Sequence, residues 1–408
     1  LVSFTQDAER VIAQVTHAGK AEEIQARYLV GCDGGHSTVR KGAGIPFLGE
    51  TWDEEHFLFA NVHANGLDTS VTHNWGNPFE GGLNMQWMSH SQTWFLGAIV
   101  APDERGELPS PTLEAVQQVF AERSGMPEVH LSDPHWMTLW RPTIRMVDRY
   151  RAGRIFVAGD AAHVHSAAGG QGMNTGIQDA YNLGWKLAQV LGGAPDSLLD
   201  TYQAERLPVA AGVLASSSLR HREFERDFNQ ALGTLFAGKE TFADPTQLSL
   251  TYRGSSLARD LDDATGIRAG DRAPDVTCVR AGSGEQVRLY DLFRGPHFTL
   301  LVFGDQPTFP LPTVSENALR VYTIARRENT GENANHTLVE SEGQASRAYG
   351  IRGDALILIR PDGYIGLTGG TISQEPLIDY LREVIGWHEF AETPPSADGW
   401  RRARDRSI

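Results

Sequence analysis

Apolar positions recur at three- and four-residue intervals across residues 171–191: Met173, Ile177, Ala180 and Tyr181, Gly184, Leu187 and Ala188, and Leu191. The spacing predicts a helix that starts near Gln171 and buries this set as one continuous face. Just upstream, residues 154–158 form a short apolar run, read as a strand, that ends in Gly159-Asp160 and a glycine-rich loop. Residues 2–5 and 11–17 read as two strands joined at 6–10, and residues 26–32 as a third that leads into Asp33-Gly34-Gly35. From residue 47 to 150 the period shortens to two, with alternating segments at 57–63, 83–88 and 93–100 broken by Gly, Asn and Pro; this predicts an antiparallel sheet. A helix over 112–123 carries Thr112 and Glu114 at its start, and Leu113, Val116, Val119 and Phe120 on its inner face. Another opens at the capping-box pattern of Ser197-Leu-Leu-Asp200, and Pro208 should end or kink it; residues 220–228 read as a charged helix. Further on, strands are expected at 276–279 and 298–303. A hairpin joins 355–359 to 365–367 through Arg360-Pro-Asp-Gly363, and a helix closes the pattern at 377–385.

Charge and cysteine usage narrow the function. The 408 residues carry 36 basic and 51 acidic side chains, a net charge of −15, which argues against nucleic acid or an anionic membrane as partner. Cys32 and Cys278 are far apart with no Cys-x-x-Cys pair, so a disulfide scaffold, a zinc site and a dithiol centre are not expected. No apolar run is long enough to span a bilayer and no signal peptide is visible, which makes the cytoplasm the expected location. The chain begins at Leu1 within a strand-like segment and reads as truncated.

The candidate chemistry centres on the strand, the acidic residue, the glycine-rich turn and the helix N-terminus around Asp160. Glycines at 169, 170, 172 and 176 allow close backbone approach and present free amides, an arrangement suited to a polyhydroxyl or anionic cofactor. The stretch Gly159-Asp160-Ala-Ala-His163, through Gly169-Gly-Gln-Gly172-Met-Asn174 to Asn182-Leu-Gly-Trp-Lys186, resembles the GD motif of the FAD-dependent aromatic hydroxylases, the class A flavoprotein monooxygenases. Tyr28-Leu-Val-Gly-Cys-Asp-Gly-Gly-His-Ser-Thr-Val-Arg40 resembles the same family's DG motif. The resemblance implies that Asp160 accepts hydrogen bonds from the ribityl hydroxyls, and that Gly170, Gln171, Gly172, Met173 and Asn174 lie along the flavin. It also implies that Asp33 and Arg40 lie beside the FAD and help position the nicotinamide donor. No side chain is then needed as a catalytic nucleophile, because the cofactor does the chemistry. NAD(P)H reduces FAD, O2 adds at flavin C4a, and the hydroperoxide passes one oxygen to a phenolic or polycyclic ring. His36 reads as a surface position. His163 and His165, at i and i+2 with Asp160, raise a metal alternative, but a third ligand at useful spacing is lacking nearby. The near P-loop at Gly233–Glu240 fails, since Glu240 stands at the Ser/Thr position and no strand precedes it.

The fold class expected is α/β, α+β overall. Residues 1–46 and 153–265 are the remainder of a Rossmann-like FAD-binding domain, with a helical connector in the second part. Between them lies a substrate-binding sheet, 47–152, holding Trp52, Trp75, Trp87, Trp94, Trp136 and Trp140, of which one or two could line the substrate pocket that the family keeps there. Residues 266–390 resemble the thioredoxin-like C-terminal domain of the phenol hydroxylase branch, with a tail at 391–408. Gly304-Asp-Gln-Pro-Thr-Phe309 stands where a redox member would place its cysteines, so a structural or homodimer-contact role is expected for this domain. Two departures bear on the flavin. The family's Gly-x-Gly-x-x-Gly, which holds the ADP half of FAD, does not precede these elements, so the chain alone is expected to hold FAD poorly. The family's proline before Gly-Gly-Gln-Gly is Ala167 here. A dehydrogenase or reductase on the same scaffold, and a catalytically incomplete flavoprotein fragment, are the alternatives.

Overall fold

The computed structural model describes residues 1–51, 56–76, 81–165, 171–226 (216–226 by backbone only), 247–263, 265–304, 317–326, 336–370 and 374–386. Trp52, Ala167, Gly169, Gly170, the stretch 233–240, residues 305–309 and the tail from 391 lie outside them. The described residues are of mixed helix and strand, an α/β fold. They fall into two compact units, one from Leu1–Gly176 and Ala210–Pro245, the other from Ile177–Val209 and Thr246–Ile408.

In the first unit, Ser3–Gln6, Val11–His17 and Lys20–Ala26 form an antiparallel meander. Lys20–Ala26 was not expected as a strand; it is exposed along its whole length, so the alternation that marks a half-buried strand is missing. Its turn supplies the reason it pairs: Ala18 and Gly19 both take positive φ, 49° and 79°, the geometry of a tight two-residue hairpin. Leu29–Gly31, shorter than its expected span, pairs in parallel with Ile155–Val157. Asp33 and Asp160 therefore follow the carboxyl ends of two neighbouring parallel strands, where open α/β sheets bind ligands. Val11, Val39 and Ile155 form the small core beneath them.

The alternating segments form a five-stranded antiparallel sheet, ordered Leu131–Trp140, His56–Ala64, Thr93–Val100, Leu83–Met88 and His73–Trp75. The pleat puts Leu58, Ala60, Val62, Leu83, Met85, Trp94, Leu96 and Ala98 on one face, where Val116 and Phe120 of the helix Leu113–Ser124 seal them. Thr112 caps that helix through Ala115 N–H at 3.3 Å. From Trp140 the chain passes to Thr143–Val147, which pairs with Phe47–Thr51 on one side and His163–Val164 on the other.

The second unit is built on an eight-stranded mixed sheet. Phe298–Phe303, buried at every residue, runs parallel to Leu319–Ala325 and antiparallel to Ala355–Ile359, which pairs in turn with Ile365–Gly369. The helix Gln374–Ile385 closes the pattern, as expected.

One expectation is corrected. The helix Gly172–Leu191 forms, but Met173 (76%), Ile177 (58%), Tyr181 (55%) and Leu191 (42%) are exposed. Its buried face is Thr175, Asp179, Asn182, Leu183, Lys186 and Val190. Periodicity identified the helix but mistook the face, because a paired charge buries while reading as solvated in a hydropathy pattern. Pro208, expected to end or kink its helix, does not end it: it lies inside the helix Asp200–Arg226. Proline removes one i→i−4 bond there, and an exposed position lets water satisfy the freed carbonyl.

Candidate active site

The turn after Ile155–Val157 is the centre of the site. Gly159 has φ +58°, a conformation that disfavours any side chain, and a Cβ built on Gly176 would stand 3.1 Å from Gly159 Cα. The first turn of the helix Gly172–Leu191 thus packs backbone to backbone against the strand end. Asp160, in the short 3-10 helix Gly159–Ala161, is exposed, and no hydrogen bond or ion pair among the described residues engages its carboxylate. At the helix start, Gln171 is buried, and its carbonyl accepts from Thr175 N–H at 2.9 Å and from Thr175 Oγ1 at 2.8 Å. Gly172, Met173 and Asn174 follow in the first turn, where amides lack partners within the helix and carry its positive dipole end.

The structure gives Asp33 and Arg40 different work from each other. Asp33 accepts from Ser37 Oγ, from Thr38 N–H at 2.7 Å and from Val39 N–H at 3.1 Å, so its carboxylate holds the start of the helix Thr38–Gly42. Partial burial alone would raise its pKa; these hydrogen bonds outweigh that and hold it below the usual carboxylate range. Ser37, which the sequence reading passed over, completes the cap by accepting from Arg40 N–H at 2.9 Å. Arg40 is buried, with its guanidinium 3.9 Å over the Phe47 ring and its Nη1 donating to Ala161 O at 3.2 Å. Arg40 therefore ties the segment after Asp33 to the turn that carries Asp160. His36 is exposed. His163 is buried beside Tyr150 and stacks on His165 at 6.4 Å. Among the described residues no three His, Cys, Asp or Glu side chains are grouped to hold a metal ion. Neither Cys32 nor Cys278 is in a disulfide, and burial pushes the Cys278 thiol up to about 11.

A second constellation was missed entirely. In the second unit, Lys186 Nζ donates to Asn182 Oδ1 and Glu205 Oε2, each at 2.8 Å. Arg360 grips Glu205 through two bonds of 2.6 and 2.9 Å and also pairs with Asp362. Asp362 accepts from Trp185 Nε1 at 2.9 Å, and Ser255 Oγ donates to Glu205 at 2.7 Å. Arg206 Nε meets Asp179 at 2.8 Å and its Nη1 meets Tyr252 OH at 2.9 Å. Burial pushes Lys186 down to about 8 despite Glu205. Burial would raise Glu205, but Arg360 and then Lys186 hold it well below the usual carboxylate range. Three cations face three carboxylates, so the cluster is neutral and tethers the helix Gly172–Leu191 to the hairpin turn after Ala355–Ile359. The available signal was Arg360-Pro-Asp-Gly363, which reads as a plain turn in sequence.

The exposed, unengaged Asp160 carboxylate, the glycine contact beneath it and the helix N-terminus suit the polyhydroxyl and anionic parts of a flavin nucleotide. No described helix is long and apolar enough to cross a membrane. Residues 1–217 match the model of the FAD binding domain family, and residues 267–387 match the aromatic-ring hydroxylase C-terminal family. A flavin-dependent monooxygenase of Mycobacteroides abscessus is 41% identical over 392 residues, covering 94% of this chain and 72% of that protein. The 12-dehydrotetracycline 5-monooxygenase/anhydrotetracycline 6-monooxygenase of Streptomyces rimosus is 32% identical over 413 residues, covering 95% and 75%. Among solved structures, aklavinone-11 hydroxylase in complex with FAD and aklavinone superposes with a TM-score of 0.73 at 27% identity, covering 94% of this chain and 73% of that one. The chain belongs to the FAD-dependent aromatic-ring monooxygenases.

Proposed function

We propose that the protein uses NAD(P)H and O2 to hydroxylate a phenolic or polycyclic aromatic substrate, with FAD held at the Asp160 turn. When bound, FAD supplies the transfer of reducing equivalents from the nicotinamide and of one oxygen atom from O2 to the ring. Asp160 accepts hydrogen bonds from the ribityl chain, and the first-turn amides of Gly172, Met173 and Asn174 favour negative charge on the cofactor's pyrimidine edge. Gln171 fixes the start of that helix. Asp33 and Arg40 act on the cofactor through shape: one caps the neighbouring helix and the other pins the Asp160 turn to it. The observation that carries this reading is the pairing of two parallel strands, each followed within three residues by one of the two motif aspartates. The five-stranded sheet is the substrate side in this reading, and the names of the relatives give anhydrotetracycline and aklavinone as theirs.

The test is a spectrum and a rate. With FAD added in excess, the protein should show the spectral shift of bound flavin, and a phenol should accelerate its oxidation of NADPH or NADH. A folded protein that neither retains added FAD nor responds to any phenol would overturn the proposal.

A further inference from the structure

The neutral cluster of the second unit has one more cation beside it. Arg272 is partly buried, and its guanidinium carbon lies 5.0 Å from the centre of the Tyr364 ring. Its Nη2 donates to Tyr364 OH at 2.9 Å and, at 3.5 Å, to Gln247 O. Its Nε is buried and has no hydrogen-bond partner. The acidic residues near it in the chain or near Tyr364 are committed to other cations. Asp271 grips Arg253 through two bonds of 2.7 Å, Asp275 accepts from Arg288 Nε at 2.9 Å, and Asp362 is held by Arg360 and Trp185. Tyr364 is 4% exposed, and its hydroxyl, which accepts from Arg272, has a proton of its own to place; none of the described residues accepts it. Burial holds that phenol well above its ordinary range, so the proton stays on. Tyr252, whose ring centre is 4.2 Å from that of Tyr364, already takes a bond from Arg206 at 2.9 Å.

With Arg272 included, Lys186, Arg206 and Arg360 become four cations against Asp179, Glu205 and Asp362, one positive charge in excess. An interior charge without a partner is costly, and so is a buried donor without an acceptor. One object meets both deficits: a single negative charge that carries lone pairs. We propose that Arg272 and Tyr364 form a binding site for a small monoanion, a halide or a carboxylate of formate size. None of its residues belongs to those assigned to flavin or substrate, so the site stands whether or not the monooxygenase reading does. Arg272 Nε and the Tyr364 hydroxyl donate to the anion. A guanidinium edge meets the two oxygens of one carboxylate with parallel bonds, which favours formate over a spherical halide. A water molecule accepts the same two bonds but leaves the charge excess in place, so it is the competing occupant.

The experiment follows thermal unfolding of the full chain near neutral pH during titration with sodium formate, chloride or bromide, with sodium gluconate holding the ionic strength constant. Binding to the folded state raises the melting temperature in a saturable way, and formate should half-saturate at a lower concentration than either halide. Tyr364→Phe keeps the ring and loses one donor, so it should weaken formate binding by about tenfold. Arg272→Gln removes the charge and should abolish the saturable response. Crystals of the unchanged protein grown with bromide keep the site testable if a variant fails to fold, and their anomalous signal should place the ion within hydrogen-bond reach of Arg272 Nε. A melting temperature that follows ionic strength alone, a formate response that is the same in parent and both variants, or a water in place of bromide at Arg272 would each overturn the site.

Discussion

At the scale of single residues, two kinds of charge behave oppositely. Asp160 is exposed and unengaged among the described residues, so its removal should leave the fold nearly untouched while depriving the flavin of a partner. Losing one such hydrogen bond costs roughly 1–3 kcal/mol, or one to two decades of affinity. Asp160→Ala should therefore retain its melting temperature and lose flavin on gel filtration; a variant that keeps flavin as tightly as the parent would count against the assignment. Arg360 is the reverse case, fully buried between Glu205 and Asp362. Arg360→Met leaves two carboxylates short of a cation, a loss on the order of 3–5 kcal/mol. Lys186→Met should cost much less, because Glu205 keeps Arg360, Asn182 and Ser255. Urea unfolding of both variants checks the order, and equal losses would contradict it.

At the scale of elements, what the sequence revealed depended on whether burial follows hydropathy. The strands His56–Ala64, Leu83–Met88 and Thr93–Val100 were legible within a residue or so, because an apolar residue at every second position has one physical meaning. The hairpin through Arg360–Gly363 was legible from its turn residues and from the continuous apolar run Ala355–Ile359 before them. Lys20–Ala26 was not, being polar on both faces. The burial of Asp179, Asn182 and Lys186 was not, because their partners are distant in sequence: Glu205 and Arg206 on the next helix, Arg360 and Asp362 more than 150 residues on. The site motifs were legible as residues, but the division of labour between Asp33 and Arg40 required distances. Pro208 gives the element-scale prediction. It is exposed inside a continuous helix, so Pro208→Ala restores an N–H to the ladder and should stabilise the protein by about 1–3 kcal/mol. Thermal unfolding decides the matter, and a lower melting temperature would show that the proline's ring packs to advantage.

For the whole molecule, the buried cluster bears on how separable the C-terminal segment is. Deleting residues 266–408 removes Arg360 and Asp362 and leaves Glu205 and Trp185 without them, so the helix Gly172–Leu191 should lose its support along with the sheet. The truncated protein is expected to lose flavin and cooperative unfolding together, and a truncation that keeps both would contradict this. The central claim is that one oxygen atom passes from O2 to an aromatic ring on this scaffold. Its most direct test is turnover of the FAD-loaded protein with NAD(P)H and a polycyclic phenol under 18O2, with mass spectrometry of the product. The account predicts a product heavier by one 18O atom per ring hydroxylated, with no label arriving from H2 18O. A product oxidised without incorporated label would identify a dehydrogenase on the same fold and contradict it.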